Sequence, residues 1–515
     1  MIYLPVEISL PFLWENEVFK KSDWNSINLF VGPNGSGKTI IAGELFKILQ
    51  KEGYKPDFLL AERLITETDS SPDGKKHRDV FRLLKADSLL KEKVETVISA
   101  MFKKSIYLDE KNGHLIPMVK DIIRNSEYNL RKGECHGLKE IITLLTTIYD
   151  SSSKSIILDE PELHLHPQFQ FFLINEIRKL AGNPLKEPGK KLFFIITHSP
   201  YFIDLRSPED FRGIVLCHTG GIPTYCESPD LDDFRVMKRF LPRFNTHHKQ
   251  FFFSDNPVFV EGYTDQQVFT ILIDSLSLSF DYPGSCIIDV GGKDELGVFY
   301  TICRMLGTGA RIITDLDSLF KGKLRDVLCA DSRPRLWLNK EGKELYPEIL
   351  LGRKKITLDS LIQQLEGLLI QIGRAVSKIN SRNHEVQDFV QRIGFFYSSR
   401  GKVEDLDTFK TVLSQGLELL GDKLVNLLPE KSRKLVPLCI RLKSLILRAG
   451  EEARVYILPR GCIEHYYTQT RVEYMPISGK DKLFHQERDY LISQSPKTLR
   501  EEYPELIGII QKALD

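Results

Sequence analysis

At 515 residues, 42% hydrophobic and 27% charged, the chain is too long for a single hydrophobic core. It shows no collagen-like or disordered bias, so about two to four domains are expected. Its 71 basic and 70 acidic residues leave a net charge of +1, which does not announce a nucleic-acid binder but leaves room for a local basic face. Eight cysteines without C-x-x-C spacing give no zinc site or disulfide framework. The N-terminus lacks the pattern of a signal peptide, and no apolar run is long enough to cross a bilayer. A cytoplasmic protein with no membrane partner is expected.

The first part of the chain alternates apolar β-branched runs with helical stretches, the pattern of an α/β domain with a mostly parallel sheet. Ile27–Val31 reads as a strand, residues 40–51 as a helix, and between them stands Gly32-Pro33-Asn34-Gly35-Ser36-Gly37-Lys38-Thr39. This is a P-loop in its required context. Backbone N–H groups around Asn34, Gly35 and Gly37 would cradle phosphates at a helix N-terminus. Lys38 would reach the β- and γ-phosphates, and Thr39 would ligate Mg²⁺. Residues 69–76 read as a loop. A second buried strand, residues 155–158, runs into Asp159-Glu160-Pro161. Asp159 would hold Mg²⁺ and Glu160 would orient or deprotonate the attacking water. A third, Leu192–Ile196, ends in Thr197-His198-Ser199-Pro200, which places His198 to sense the γ-phosphate.

A second α/β unit begins near residue 256 in βαβαβ order: strands at 257–260, 286–290 and 311–314, helices at 266–276 and 296–306. Acids stand at the strand ends: Glu261 after the first, Asp315 and Asp317 after the third. Carboxyl ends of parallel strands share one ligand-binding edge, and residues two apart in extended chain share a face. Converging carboxylates are what Mg²⁺ or Mn²⁺ requires for phosphodiester chemistry. From 358 to 449 heptad-like runs mark a helical insertion. Strand character returns at 455–458, and a helix is expected from Leu499 or Pro504 onward. Residues 321–355 hold ten Lys/Arg against five acids, which suits either phosphate-backbone contacts or a solvated loop.

The P-loop, the 155–160 strand and the segment Asp159-Glu160-Pro161-Glu162-Leu163-His164-Leu165-His166-Pro167 resemble the ABC-type ATPases, including the SMC-like and AAA_21 group. That resemblance implies two ATPs sandwiched between ATPase heads, so a homodimer or larger assembly is expected. The matching signature is Leu130-Arg131-Lys132-Gly133-Glu134, with cations where a serine and a small residue are usual. Either a cation such as Lys132 replaces the serine at the partner's γ-phosphate, or hydrolysis is weak; an exposed basic turn is the bland alternative. No clear glutamine-bearing loop is visible, although Glu62-Arg63 lies in about the right place.

The second unit resembles the TOPRIM domain, with Glu261-Gly262 after the first strand, Asp315-x-Asp317 after a later one, and Val290-Gly291-Gly292-Lys293-Asp294 between. Asp265 matches the extra acid of the TOPRIM nucleases of the OLD (overcoming lysogenization defect) family, and an ABC-type ATPase followed by TOPRIM is that family's architecture. The resemblance resumes at residues 457–467 and implies Glu464 as a second-metal ligand, although a Glu early in a helix also has a dipole explanation. Lys480 and Lys482 are candidates for a transition-state cation. The expected domains are an ABC-type ATPase at 1–245, the first part of TOPRIM at 256–340, a helical insertion at 341–450, and TOPRIM completion with C-terminal helices at 451–515.

The resemblance implies an ATP-regulated, Mg²⁺-dependent endonuclease in bacterial anti-phage defence. DNA is the expected substrate, RNA such as tRNA the alternative, and a separate defence-system partner is allowed. The rival reading is an ATP-gated sensor or scaffold that binds nucleic acid or an effector protein without cutting.

Overall fold

The structure, a computed structural model, describes residues 1–61, 80–111, 114–226, 231–278, 282, 284–397, 401–470, 474, 477 and 479–515. The expected loop at 69–76 and the Glu62-Arg63 pair lie outside the described residues. The chain divides into two units, Met1–Phe253 and Ser254–Asp515.

The first unit opens with β1 (Ile2–Ser9) and β2 (Val18–Trp24), an antiparallel ribbon. Strict alternation in β1 buries Ile2, Leu4, Val6 and Ile8 and exposes their neighbours, as a period of two demands. Then come β3 (Ile27–Val31), β4 (Pro56–Leu59), β5 (Lys104–Lys111), β6 (His114–Asp121), β7 (Ser126–Asn129), β8 (Ser155–Asp159), β9 (Leu192–Ile196), β10 (Ile214–His218) and β11 (Gly221–Tyr225). β5, β6 and β7 form a small antiparallel sheet. The main sheet has the order β11-β10-β3-β9-β8-β4 and is parallel except for β11. β3, β8 and β9 are therefore mostly apolar and buried along nearly their whole length, as strands covered on both faces must be. The P-loop helix Lys38–Lys51 packs Ile41, Ala42, Leu45 and Leu49 into a core shared with Trp24, Phe30 and Phe194.

The second unit holds β12 (Asn256–Val260), β13 (Ser285–Asp289), β14 (Arg311–Thr314) and β15 (Val455–Ile457) in the order β13-β12-β14-β15, all parallel. Helices Tyr263–Ser275 and Lys293–Met305 make the crossovers. Between β14 and β15 the chain leaves the sheet for a helical block whose long members are Leu358–Val376, His384–Phe395, Leu406–Leu419 and Val436–Glu452. The fold is thus α/β: a six-stranded sheet domain, then an α/β domain interrupted by helices and completed by the late strand.

Helix begins earlier than the heptad pattern indicates, with Lys323–Ala330 and Ser332–Asn339. The basic stretch 321–355 is therefore not one solvated loop. Arg325 pairs with Glu366 at 3.1 Å and Asp359 at 3.4 Å, and Arg333 with Asp331 at 2.9 Å. At the C-terminus, helices Pro496–Glu502 and Pro504–Leu514 bury Leu499, Leu506, Ile510 and Leu514 in the core under β12. No described helix is long and apolar enough to cross a membrane.

Candidate functional site

Each unit carries one site at the carboxyl edge of its parallel strands. In the first, β3 runs into Gly32, whose φ of +143° favours glycine; a Cβ there would stand 2.2 Å from the Cys217 carbonyl oxygen on β10. The P-loop thus lies directly against the sheet. Lys38 is buried, and its ammonium folds back to donate to the carbonyls of Gly32 at 3.1 Å and Pro33 at 2.7 Å. Thr39 Oγ1 donates to Asp159 Oδ2 at 3.0 Å, so the two expected Mg²⁺ ligands meet although 120 residues separate them.

Glu160, the next residue, takes a left-handed backbone (φ +46°), and its N–H donates to the Ile196 carbonyl. Its carboxylate lies 4.0 Å from His198 Nε2. Burial lowers the His198 pKa and the Lys38 charge lowers it further, against the pull of Glu160, which favours a neutral ring. His198 is held by a residue to which the sequence reading gave no role. The Glu162 carboxylate accepts from the His198 N–H at 2.6 Å and from Thr197 Oγ1 at 2.9 Å. A carboxylate three residues after Asp159 was the available signal. In the signature-like turn, Asn129 caps Arg131 and Lys132. Arg131 lies over the Phe81 ring, whereas Lys132 is exposed.

In the second unit Glu261 follows β12 and Asp315 and Asp317 follow β14, and one carboxylate oxygen of each lies within 4.8 Å of the others. Glu261 Oε1 accepts from Thr314 Oγ1 (2.6 Å), the Asp315 N–H (3.0 Å) and Ser318 Oγ (3.4 Å), which fixes the carboxylate across the two strand ends. Burial raises the pKa of Glu261, and Asp317 adds to it against those donors. Burial, then Glu261, raises Asp315. Asp265 accepts from the Gly262 N–H at 3.2 Å and is pushed up to about 7 by burial, then by Glu261 and Glu464. Asp317 Oδ1 is buried and has no hydrogen-bond donor among the described residues. Carboxylates crowded until they resist ionising, one with an orphaned buried oxygen, are a donor set that suits a hard divalent cation. The residues fit the metal that the motif implies.

Cations stand on two sides of this cluster. Lys293, the first residue of its helix after Gly291-Gly292, pairs with Asp317 Oδ2 at 2.5 Å. Burial works against its charge, but the hydrogen bond to Asp317 together with the charges of Asp317, Glu261 and Asp315 outweighs it and raises its pKa. The sequence motif contained Lys293 without indicating this contact. Lys480 pairs with buried Glu464 at 2.8 Å, whereas Lys482 is exposed. Residues two apart on a helix do not share a face, so of the two lysines Lys480 is the one beside the carboxylates. The element carrying Glu464 is a four-residue 3-10 turn, Ile463–Tyr466. This is too short for a dipole to account for a buried acid, and the Lys480 ammonium supplies the reason instead.

Comparison with known proteins agrees with this order of sites. Residues 252–317 match the model of the overcoming lysogenization defect protein-like TOPRIM domain. Residues 85–203 match the AAA ATPase domain model. The chain therefore carries an ATPase domain followed by an OLD-like TOPRIM domain. Among its relatives, the OLD nuclease of Thermus scotoductus is 26% identical over 167 residues, 32% of this chain and 31% of that protein. Endonuclease GajA of Bacillus cereus is 27% identical over 187 residues, 33% of this chain and 27% of that protein. The Old nuclease of Escherichia phage P2 is 26% identical over 215 residues, 39% and 35% of the two chains. The chain spans about a third of the length of these curated relatives.

Proposed function

We propose that the protein is an ATP-regulated, Mg²⁺- or Mn²⁺-dependent endonuclease that cleaves nucleic-acid phosphodiesters, with DNA as substrate and a role in anti-phage defence. The observation that carries this reading is the convergence of Glu261, Asp315 and Asp317 within 4.8 Å at the carboxyl edge of parallel strands. These three, with Asp265 and Glu464 nearby, would hold the metal. When bound, a divalent cation supplies charge stabilisation to the phosphate oxygens and a nucleophile at neutral pH.

The chain's own residues do the rest. Thr314 and Ser318 keep Glu261 aimed across the strand ends. Lys293 and Lys480 limit the repulsion among the acids and present positive charge where a phosphate approaches. In the ATPase unit, Lys38, Thr39 and Asp159 would hold the nucleotide and its Mg²⁺, Glu160 would orient the attacking water, and neutral His198 would report on the γ-phosphate. Exposed Lys132 suits a contact with nucleotide on a second copy of the chain, so we infer a homodimer or larger assembly through the ATPase heads.

The test is cleavage of supercoiled DNA, linear DNA and total tRNA in Mg²⁺ or Mn²⁺. Each reaction is run without nucleotide, with ATP and with a non-hydrolysable analogue, beside Asp315→Asn. We expect DNA cutting that depends on Asp315 and changes with nucleotide. Cutting of tRNA alone would overturn the substrate assignment, and equal cutting by Asp315→Asn would overturn the site.

A further inference from the structure

The loop that joins β15 to the Glu464 turn is held from both sides, and one of those sides is the helical block. Towards the sheet, the Leu458 N–H donates to the Thr314 carbonyl at 2.8 Å, and the Leu316 N–H donates to the Gly461 carbonyl at 2.7 Å. The loop is therefore stitched to the turn that carries Asp315 and Asp317. Towards the block, Gln415 of helix Leu406–Leu419 is almost fully buried, and its Nε2 donates to the Arg460 carbonyl at 2.8 Å. The same nitrogen lies 3.3 Å from His465 Nε2. The other ring nitrogen of His465 closes on Cys462, 3.1 Å from its backbone nitrogen and 3.0 Å from its sulfur. One residue earlier, Lys443 of helix Val436–Glu452 donates to the Pro459 carbonyl at 2.9 Å and pairs with Glu418 at 2.7 Å.

Gly461 shows how closely these parts meet. Its φ is +130°, and a Cβ would fall 1.8 Å from Gln415 Nε2 and 2.9 Å from His465 Nδ1. A buried primary amide in a helix that also buries Phe409, Val412, Leu413 and Leu417 costs desolvation unless its hydrogen bonds are met. Its Nε2 meets that need on the loop.

We propose that Gln415 is a positioning residue of the carboxylate site: through Arg460 and His465 it holds the Gly461–Glu464 loop, and with it Glu464, in place for the metal. The helical block is on this account a brace for the active-site loop. The proposal rests on the nuclease reading of the site. It predicts that a change in the block, far along the chain from any proposed ligand, alters metal affinity.

The experiment uses the full-length protein with Gln415→Leu and Gln415→Glu, which keep the size and remove the donating amide. Asp405→Ala is the control, because it removes the cap of the same helix, where Asp405 accepts from the Thr408 N–H, without touching the loop. Two readouts are taken. Hydrogen exchange of the peptide covering residues 458–467 is followed in chelator-treated protein. Mn²⁺ binding is titrated by calorimetry with no nucleic acid present. Gln415→Leu and Gln415→Glu should speed exchange across that peptide and weaken Mn²⁺ binding about tenfold, the size typical of lost support behind a metal ligand. Asp405→Ala should lower the Tm and leave both readouts at wild-type values.

Wild-type exchange and Mn²⁺ affinity in both Gln415 variants would overturn the proposal while leaving the nuclease reading intact. Equal effects in Asp405→Ala would reduce Gln415 to a stability role and overturn it as well. A wild-type protein that binds no Mn²⁺ would overturn both readings, and it would show this before any variant is compared.

Discussion

The two sites use the same architectural position in opposite ways. Both lie where parallel strands end, but the ATPase site is built around a contiguous loop and the carboxylate site around dispersed acids. In the first, backbone does most of the holding: Gly32 packs on β10, and the Lys38 ammonium rests on two loop carbonyls. In the second, side chains hold side chains, and Thr314, Ser318, Lys293 and Lys480 each pin one acid. A backbone cradle tolerates changes nearby. A carboxylate cluster held above its ordinary pKa range responds to any change in the charge beside it.

The largest effects should come from breaking each site separately. Asp315→Asn should reduce cleavage on the order of 10³-fold, as removal of several kcal/mol of charge stabilisation implies, while ATP affinity stays within twofold, or about 0.4 kcal/mol. Lys38→Ala should weaken ATP binding on the order of tenfold to a hundredfold, the worth of a charge-assisted phosphate contact, and leave Mn²⁺ binding at the carboxylates unchanged. Nucleotide titration and metal calorimetry on both variants check the pair. Loss of both ligands in either variant would break the separation.

The same contrast explains what was legible in the sequence. The P-loop and Asp159-Glu160 are contiguous with their strands, so motif and context were read together, and Thr39 does meet Asp159. Glu261, Asp315 and Asp317 were legible because the strand order puts them at one edge. Lys480 and Lys482 could not be told apart without the phase of their helix. The contact of Gln415 with Arg460 spans 45 residues of sequence and leaves no pattern in either segment. For residues 321–355 the sequence left phosphate contacts and a solvated loop open, and neither included the helices found there, because pairing partners such as Glu366 come from a helix later in the chain, invisible to a count of local charge.

A smaller effect should sharpen the view of the ATPase site. Glu162 accepts from both Thr197 and the His198 N–H, so it supports His198 from behind, as Gln415 is proposed to support Glu464. Glu162→Ala should lower ATP turnover about tenfold while changing nucleotide affinity little, because the phosphate cradle does not include it. Single-turnover hydrolysis beside equilibrium nucleotide binding separates the two. A loss confined to affinity would place Glu162 in the cradle instead.

The smallest expected effect lies beside Lys132. Glu134 is paired with Lys104 at 2.5 Å and accepts from Tyr128 Oη at 2.6 Å, and its side chain is 7% exposed. Burial alone would raise its pKa, but Lys104 and then Tyr128 hold it down at about 2, against an ordinary value of 4.5. A carboxyl whose folded pKa is depressed adds stability that is fully present above the ordinary value and is lost as pH falls towards the folded one. Glu134→Gln should therefore cost about 1–2 kcal/mol near neutral pH, a figure discounted for solvent screening around a partly exposed pair. Its deficit relative to wild type should shrink between pH 5 and about pH 2, the window set by the two pKa values. Thermal unfolding of both proteins across that range measures the gap. A gap that stays constant with pH would mean that Glu134 contributes through packing against Tyr128 rather than through its charge.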